Sequence, residues 1–177
     1  MEIIYRKIQP EEIEPGLFSQ FQRFQKVEKC WRKEEGQWVL KDIAFTEDWD
    51  AADYRRVCAQ LTKVLAQGGA VWGAFFQNTL KGFASVEKNL IGSSGQYAVL
   101  AEMHVSQDLR RGGLGRKLFG LAAGSARELG AKKLYISAMS AAESQAFYHS
   151  MGCVEALEYD PCHVEKEPCD VQMEFLL

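Results

Sequence analysis

The chain has 177 residues, of which 47% are hydrophobic, and this is enough apolar material for one domain spanning residues 1–177. Its 21 Lys and Arg residues against 24 Asp and Glu residues give a net charge of -3, which disfavours nucleic acid as a partner. The N-terminal segment has neither a long apolar run nor a signal-peptide cleavage site, so we expect a cytoplasmic protein without a membrane partner.

Cysteine and histidine usage argues against a disulfide framework and against a metal site. The five cysteines are odd in number and lack the C-x-x-C spacing, and the three histidines do not cluster with them. We therefore expect buried free thiols and no metal. The cysteines are Cys30, Cys58, Cys153, Cys162 and Cys169.

The first third of the chain gives mixed signals. Glu2 to Ile8 is β-prone and stops before Pro10, whereas the aromatic and charged pattern from Phe18 to Trp31 predicts a helix. Lys33 to Trp49 is predicted to be irregular. Apolar residues at helical spacing then predict an amphipathic helix from Ala52 to Leu65.

A run of strands follows. Ala70–Gln77 and Leu80–Lys88 predict a hairpin around Asn78 and Thr79, and Tyr97–Val105 predicts a third strand. A helix is expected from Leu114 to the Gly130 cap. Four later elements are predicted: a strand Lys133–Ser137, a helix opened by a Ser140-x-x-Glu143 capping box and ending near Met151, and strands from Val154 and over Val171–Leu176.

Between the third strand and the following helix stands the sequence RRGGLGR, residues 110–116. A strand, a glycine-rich turn and a helix N-terminus together form an anion site, because glycine lets the backbone approach and the helix offers free N–H groups. The spacing excludes a Walker loop, since Gly115 is followed by Arg116 and Lys117, and a Rossmann turn, since Leu118 stands where the third glycine is required. A turn that only joins strand to helix is the alternative.

The pattern Arg110-x-x-Gly113-x-Gly115, after the strand AEMHVS and before a long helix, resembles the GNAT superfamily of acetyl-CoA-dependent N-acetyltransferases. The later stretch SQAFYHSMGC resembles that family's second motif. The resemblance implies an α+β (α/β) fold, with a mixed, mostly antiparallel central sheet, splayed central strands and flanking helices.

The resemblance also implies a coenzyme A site and no metal. The backbone from Arg111 to Arg116 would hold the pyrophosphate, the strand end Met103 to Val105 would pair with the pantetheine arm, and Ser144 stands where the family often has Asn. The implied cofactor-binding residues are Met103, His104, Val105, Arg110, Arg111, Gly112, Gly113, Leu114, Gly115, Arg116 and Ser144.

Acetyl transfer to an amine needs a proton acceptor and a group that stabilises the leaving thiolate. The resemblance assigns the second role to Tyr148. Glu102 is the candidate base because it interrupts an apolar run, although an ordinary glutamate would need a raised pKa or a water relay. His104, on the same strand face, is a second candidate, and both residues have a purely structural alternative as polar groups of the sheet.

The acceptor is expected to be a primary amine on a small molecule or a peptide. The aromatic and acidic segment before the first long helix could line a cationic pocket, with Trp49 and Asp48 as candidates, or could consist of core aromatics and helix-capping acids. A non-catalytic acyl-CoA-binding module of the same fold is the alternative function, and the resemblance is compatible with a homodimer.

Overall fold

The computed structural model describes residues 2–177 and contains one seven-stranded sheet, a separate two-stranded hairpin and four α-helices. This confirms the predicted α+β fold class. The strands are β1 Ile4–Lys7, β2 Phe24–Glu34, β3 Gln37–Asp48, β4 Ala70–Phe76, β5 Thr79–Val86, β6 Tyr97–Val105, β7 Lys133–Ala138, β8 Val154–Glu155 and β9 Val171–Leu176. The helices are α1 Ala51–Ala66, α2 Leu114–Glu128, α3 Ala142–Ser150 and α4 Pro161–Lys166.

The large sheet has the order β1-β4-β5-β6-β7-β9-β8 and is antiparallel except between β6 and β7. Those two parallel strands pair only over Tyr97–Val99 and Lys133–Tyr135, after which they diverge. β6 therefore continues to Val105 beside a gap, as predicted for the splayed central strands.

Helices cover both faces of the sheet. Leu114, Leu118 and Phe119 of α2 belong to one apolar core with strand residues such as Ala84 and Leu134. α1 packs on the opposite face through Val57, Cys58, Leu61 and Val64, in a second core that includes Phe83. Asp50 caps α1 by accepting hydrogen bonds from the backbone N–H groups of Ala52 and Asp53.

The prediction of a helix over Phe18–Trp31 was wrong, and so was that of an irregular segment over Lys33–Trp49. The chain forms a long antiparallel hairpin, β2–β3, whose turn residues Glu35 and Gly36 both have positive φ. Positive φ at both central residues is the geometry of a tight hairpin turn, and pairing along two long strands outweighed the local helical pattern.

The start of α3 also differs from the prediction. The helix begins at Ala142 with Ala141 at the N-cap and no side-chain cap, so the capping box does not form. The Ser140 hydroxyl instead accepts a hydrogen bond from Arg32 Nη1 at 2.7 Å, and the Trp31 N–H bonds to the Ser140 carbonyl at 2.8 Å. These contacts join the β2–β3 hairpin to α3.

The cysteine prediction holds in part. Cys30, Cys58 and Cys153 are buried free thiols, whereas Cys162 and Cys169, in and just after the unpredicted helix α4, are exposed.

Glu155 of β8 connects the hairpin to the main sheet. Its carboxylate accepts hydrogen bonds from Lys33 Nζ at 2.6 Å and Trp38 Nε1 at 3.0 Å, and a third from Tyr159. Burial alone would raise the pKa of Glu155, but these donors outweigh it and lower the pKa to about 2.

Candidate active site

The gap between β6 and β7 opens into a cavity of about 1580 Å³. A site for one drug-sized ligand typically has roughly 300–1,000 Å³, so this cavity has room for two reactants. Glu102, Met103, His104 and Val105 of β6 line it, as does the loop before α2. Ile136 and Ser137 of β7 lie across the gap.

The glycine-rich loop forms one end of the cavity. Gly113 has φ +82° and is the N-cap of α2, with no side-chain cap, so the first helical N–H groups are left without an intrahelical partner. Gly115 lies against α3, and a Cβ there would come within 3.3 Å of the Phe147 ring. Arg110 Nε donates a hydrogen bond to the Val105 carbonyl at 3.2 Å, which ties the loop to the end of β6.

This end of the cavity is strongly cationic. Arg110, Arg111 and Arg116 all line it, and none of them forms an ion pair with a carboxylate of residues 2–177. Free backbone N–H groups and unpaired guanidinium groups at a helix N-terminus fit a polyphosphate. The chemistry of these donors therefore fits coenzyme A.

Most of the predicted cofactor-binding residues line the cavity, but not all of them could contact a ligand through their side chains. All line the cavity except Gly112, and Ser144 is half-buried at the start of α3. The Leu114 side chain is buried in the core beneath α2, so only its backbone is suited to a ligand contact.

Glu102 and His104 lie on the face of the sheet that α1 covers. They stand opposite Ser85 and Phe83 of β5, and His104 Nε2 lies 2.7 Å from Glu102 Oε2. Arg23 Nε donates to His104 Nδ1 at 3.0 Å, so this nitrogen carries the lone pair and Nε2 carries the proton donated to Glu102. Both ring nitrogens are engaged, which leaves His104 without a free site for a substrate proton.

The environment of Glu102 makes it more acidic than an ordinary glutamate. Burial raises its pKa, but the His104 hydrogen bond and the charges of Arg56 and Lys166 outweigh burial and leave the pKa lowered. The raised pKa that direct base catalysis required is therefore absent. A water relay from Glu102 stays a prediction.

Tyr148 approaches the cavity from the other face. Its ring packs beside Phe119 and Phe147 in the core that α2 covers, and the residue lines the cavity. Burial raises its pKa, and the negative charges of Asp170 and Glu102 act in the same direction. The hydroxyl therefore keeps its proton and can act as a donor.

Of the two predicted acceptor residues, Trp49 lines the cavity and Asp48 does not. Strand alternation directs the neighbouring Glu47 to the cavity instead, while Asp48 is exposed. The Trp49 ring lies against His104, with centroids 4.7 Å apart, and the guanidinium groups of Arg23 and Arg56 lie 5.5 and 5.7 Å from its centroid.

Arg23 and Asp170, two charged residues of the cavity, were missed from the sequence. Arg23 is buried, bridges His104 and Glu47, and has a buried Nη1 without a hydrogen-bond partner among the described residues. Asp170 lies just before β9 and bonds to Ser137. Asp170 lies in a segment with no recognisable motif, and Arg23 falls in the segment wrongly predicted to be helical. Glu47 belongs to the aromatic and acidic segment that was expected to be able to line a pocket, although Trp49 and Asp48 were the candidates taken from it.

The profile of the Acetyltransferase (GNAT) family matches residues 21–153. The chain belongs to the GNAT acetyltransferase family. The matched range runs from Phe21 to Cys153, so it contains the glycine-rich loop and α3, and the predicted family is confirmed. A comparison with curated protein sequences finds no significant match.

Solved acetyltransferase structures resemble the whole chain. A nourseothricin acetyltransferase has 18% sequence identity and a TM-score of 0.69, with 99% of each chain covered. A Bacillus anthracis protein assigned as a streptothricin acetyltransferase, in complex with acetyl coenzyme A, has 14% identity and a TM-score of 0.73, covering 100% of this chain and 99% of that one. The PaiA N-acetyltransferase from Thermoplasma acidophilum, in complex with coenzyme A, has 16% identity, a TM-score of 0.62 and full coverage of both chains.

Residues 2–177 lack two further features. No helix there is long and apolar enough to cross a membrane, and no group of three metal-ligating side chains comes together.

Proposed function

We propose that this GNAT protein transfers the acetyl group of acetyl-CoA to a primary amine of a small molecule or a peptide. The single observation that carries the proposal is the charge distribution of the cavity. Unpaired arginines and free helix N–H groups occupy the end beside α2, and the carboxylates of Glu47, Glu102 and Asp170 line the cavity from β3, β6 and the segment just before β9. A polyphosphate and a cationic amine can therefore both be attracted to one cavity.

At the cosubstrate end of the cavity, the proposal rests on the glycine-rich loop and on the edge of β6. The N–H groups from Arg111 to Arg116 would bind the pyrophosphate, and the edge of β6 from Met103 to Val105, which has no partner strand across the gap, would bind the amides of the pantetheine arm. Acetyl-CoA supplies a thioester-activated acetyl group in the gap.

At the acceptor end of the cavity, the proposal rests on acidic side chains. Two of the similar solved structures bear the names nourseothricin acetyltransferase and streptothricin acetyltransferase, and we extend from them only a class of acceptor, a small amine. Glu102 would hold the ammonium group near the gap through its negative charge, beside Trp49. We assign Tyr148 the donation of a hydrogen bond to the leaving thiolate, because its hydroxyl is protonated and lines the cavity.

The first test is binding of acetyl-CoA by calorimetry, followed by thiol release against a panel of polyamines, amino acids, streptothricin antibiotics and peptides. We expect acetyl-CoA to bind in the cavity and thiol to be released with at least one primary amine. Absence of binding would overturn the proposal. Binding without thiol release from any amine would favour the acyl-CoA-binding module.

The matched control is Tyr148→Phe, which removes only a hydroxyl. We expect this variant to bind acetyl-CoA as the wild type does and to release thiol more slowly. A variant that loses binding in the same proportion would show that Tyr148 serves packing rather than the leaving group.

A further inference from the structure

Asp170 lies across the gap from Glu102, at the end of the sheet where β7 and β9 lead into the cavity. Val171, the next residue, pairs with Ala138, the last residue of β7. Asp170 is half-buried and lines the cavity that Glu102 and Tyr148 also line. Its Oδ2 accepts a hydrogen bond from Ser137 Oγ at 3.1 Å, whereas Oδ1 has no hydrogen-bond donor among residues 2–177. One carboxylate oxygen is therefore held and the other is available to a ligand.

A buried hydrogen-bond chain orients this carboxylate. Tyr135 Oη donates to Gln172 Oε1 at 2.5 Å, Gln172 Nε2 donates to Ser137 Oγ at 3.0 Å, and Ser137 Oγ then donates to Asp170. Tyr135 and Gln172 are 0% and 2% exposed, so solvent does not compete for these bonds. Because each proton points toward Asp170, the chain fixes the carboxylate as an acceptor at Oδ2.

Burial, assisted by two neighbouring carboxylates, makes Asp170 more basic than an ordinary aspartate. Burial raises its pKa to about 6, the carboxylates of Glu167 and Glu47 act in the same direction, and the Ser137 hydrogen bond and His163 oppose them. Glu102 has a lowered pKa, so Asp170 is the better proton acceptor of the two. A lysine-type amine has a pKa near 10.4, and the gap to Asp170 is roughly four pKa units instead of more than six for an ordinary aspartate.

We propose that Asp170 is the base that deprotonates the acceptor ammonium, a role that rests on the proposed function. One ammonium proton moves to Oδ1 of Asp170 and later to solvent. The freed nitrogen lone pair forms a bond to the acetyl carbonyl carbon, and the carbon–sulfur bond breaks with its electron pair staying on sulfur. The second proton leaves the nitrogen for solvent, and the thiolate, which accepts a hydrogen bond from Tyr148, takes one proton from solvent, so that the products are the amide, the thiol and one net proton in solvent.

The test compares kcat/KM against pH for wild type and Asp170→Asn, using thiol release with acetyl-CoA and spermidine or, if spermidine is inactive, the fastest amine of the panel. We expect the wild type to lose activity below about pH 6, where Asp170 is protonated. Asp170→Asn should lose activity by about 10²- to 10⁴-fold near pH 7 and recover toward the pH at which the free amine deprotonates.

Two neighbouring variants should move the acidic limb of the profile, which is the range over which kcat/KM falls as the pH is lowered, in opposite directions. Ser137→Ala removes a donor that lowers the pKa of Asp170, so the limb should shift to higher pH. Glu167→Gln removes a negative neighbour that raises the pKa, so the limb should shift to lower pH. A purely structural role of Asp170 would change stability without this pair of shifts.

The outcomes separate this inference from the proposed function. No thiol release by the wild type would contradict the proposed function itself. An active wild type together with an Asp170→Asn variant that keeps both its rate and its acidic limb would overturn the role of Asp170. If Glu102→Gln abolished the limb and Asp170→Asn did not, Glu102 would be the base. Acetyl-CoA binding and thermal unfolding of Asp170→Asn, measured alongside, show whether the variant is folded.

Discussion

Replacing Gly113 with alanine should weaken the binding of coenzyme A through the backbone alone. Gly113 has φ +82°, and no heavy atom lies within 4 Å of a Cβ built there, so the substitution causes strain without a steric clash. A left-handed conformation costs a residue with a Cβ about 1–2 kcal/mol. If the loop relaxes in the free protein, binding must restore this conformation, and the Kd should rise by about 5- to 30-fold.

Gly130→Ala is a matched control at the other end of the same helix. Gly130 has φ +84°, also has no heavy atom within 4 Å of its Cβ position, and lies outside the cavity lining. Gly130→Ala should lose about 1–2 kcal/mol of stability, or about 2–8 °C in melting temperature, whereas Gly113→Ala should lose less stability because its loop relaxes in the free protein. Calorimetry with coenzyme A should show weaker binding for Gly113→Ala only. Equal affinity in the two variants would refute the view that the loop backbone binds the cosubstrate.

Three further predictions concern single side chains. Tyr148→Phe should lower kcat by about 10²- to 10³-fold, measured by steady-state thiol release, with an unchanged Kd for acetyl-CoA. The pKa of Glu155 is about 2 in the folded protein and near 4.5 ordinarily, so its stabilisation is present above pH 4.5 and is lost as the pH falls toward 2. The Glu155 side chain is 35% exposed, which reduces the expected effect. Glu155→Gln should cost about 1–2 kcal/mol of unfolding free energy at pH 7, measured by urea denaturation, and much less at pH 2.5. An equal cost at both pH values would contradict the assignment. Arg23→Lys cannot bond to both Glu47 and His104 and should cost about 1–3 kcal/mol of unfolding free energy, and an unchanged urea midpoint would contradict that.

Local sequence patterns predicted the elements that carry their own signals. Tyr97–Val105 was predicted with its observed bounds, and the helix beginning at Leu114 follows from the glycine loop before it. The hairpin β2–β3 was missed because its stability comes from pairing between distant residues, such as Val27 with Phe45, which a local window does not contain. Its one local signal was Gly36 in the turn.

The residues of the candidate site also fall into two groups, those that a local sequence pattern predicts and those that only long-range packing brings together. Residues on the glycine loop could be found because their spacing reflects one local structure. Asp170 and Arg23 could not, because Asp170 meets Ser137 only through the pairing of β9 with β7, and Arg23 meets His104 only through the packing of the hairpin against the sheet. The lowered pKa of Glu102 depends on its hydrogen bond with His104 and on the charges of Arg56 and Lys166. A strand pattern alone could therefore not have given the direction of this pKa shift.

The divergence of β6 and β7 also creates strand edges in the middle of a sheet. Unpaired edges on the outside of proteins can recruit strands from other molecules and lead to aggregation. Here the edges run for only a few residues between α3 on one side and the β2–β3 hairpin on the other. These edges face the cavity and not the outer rim of the sheet. The fold can thus offer hydrogen-bonding backbone to a ligand within the molecule, while the edge strands of the sheet are β1 and β8.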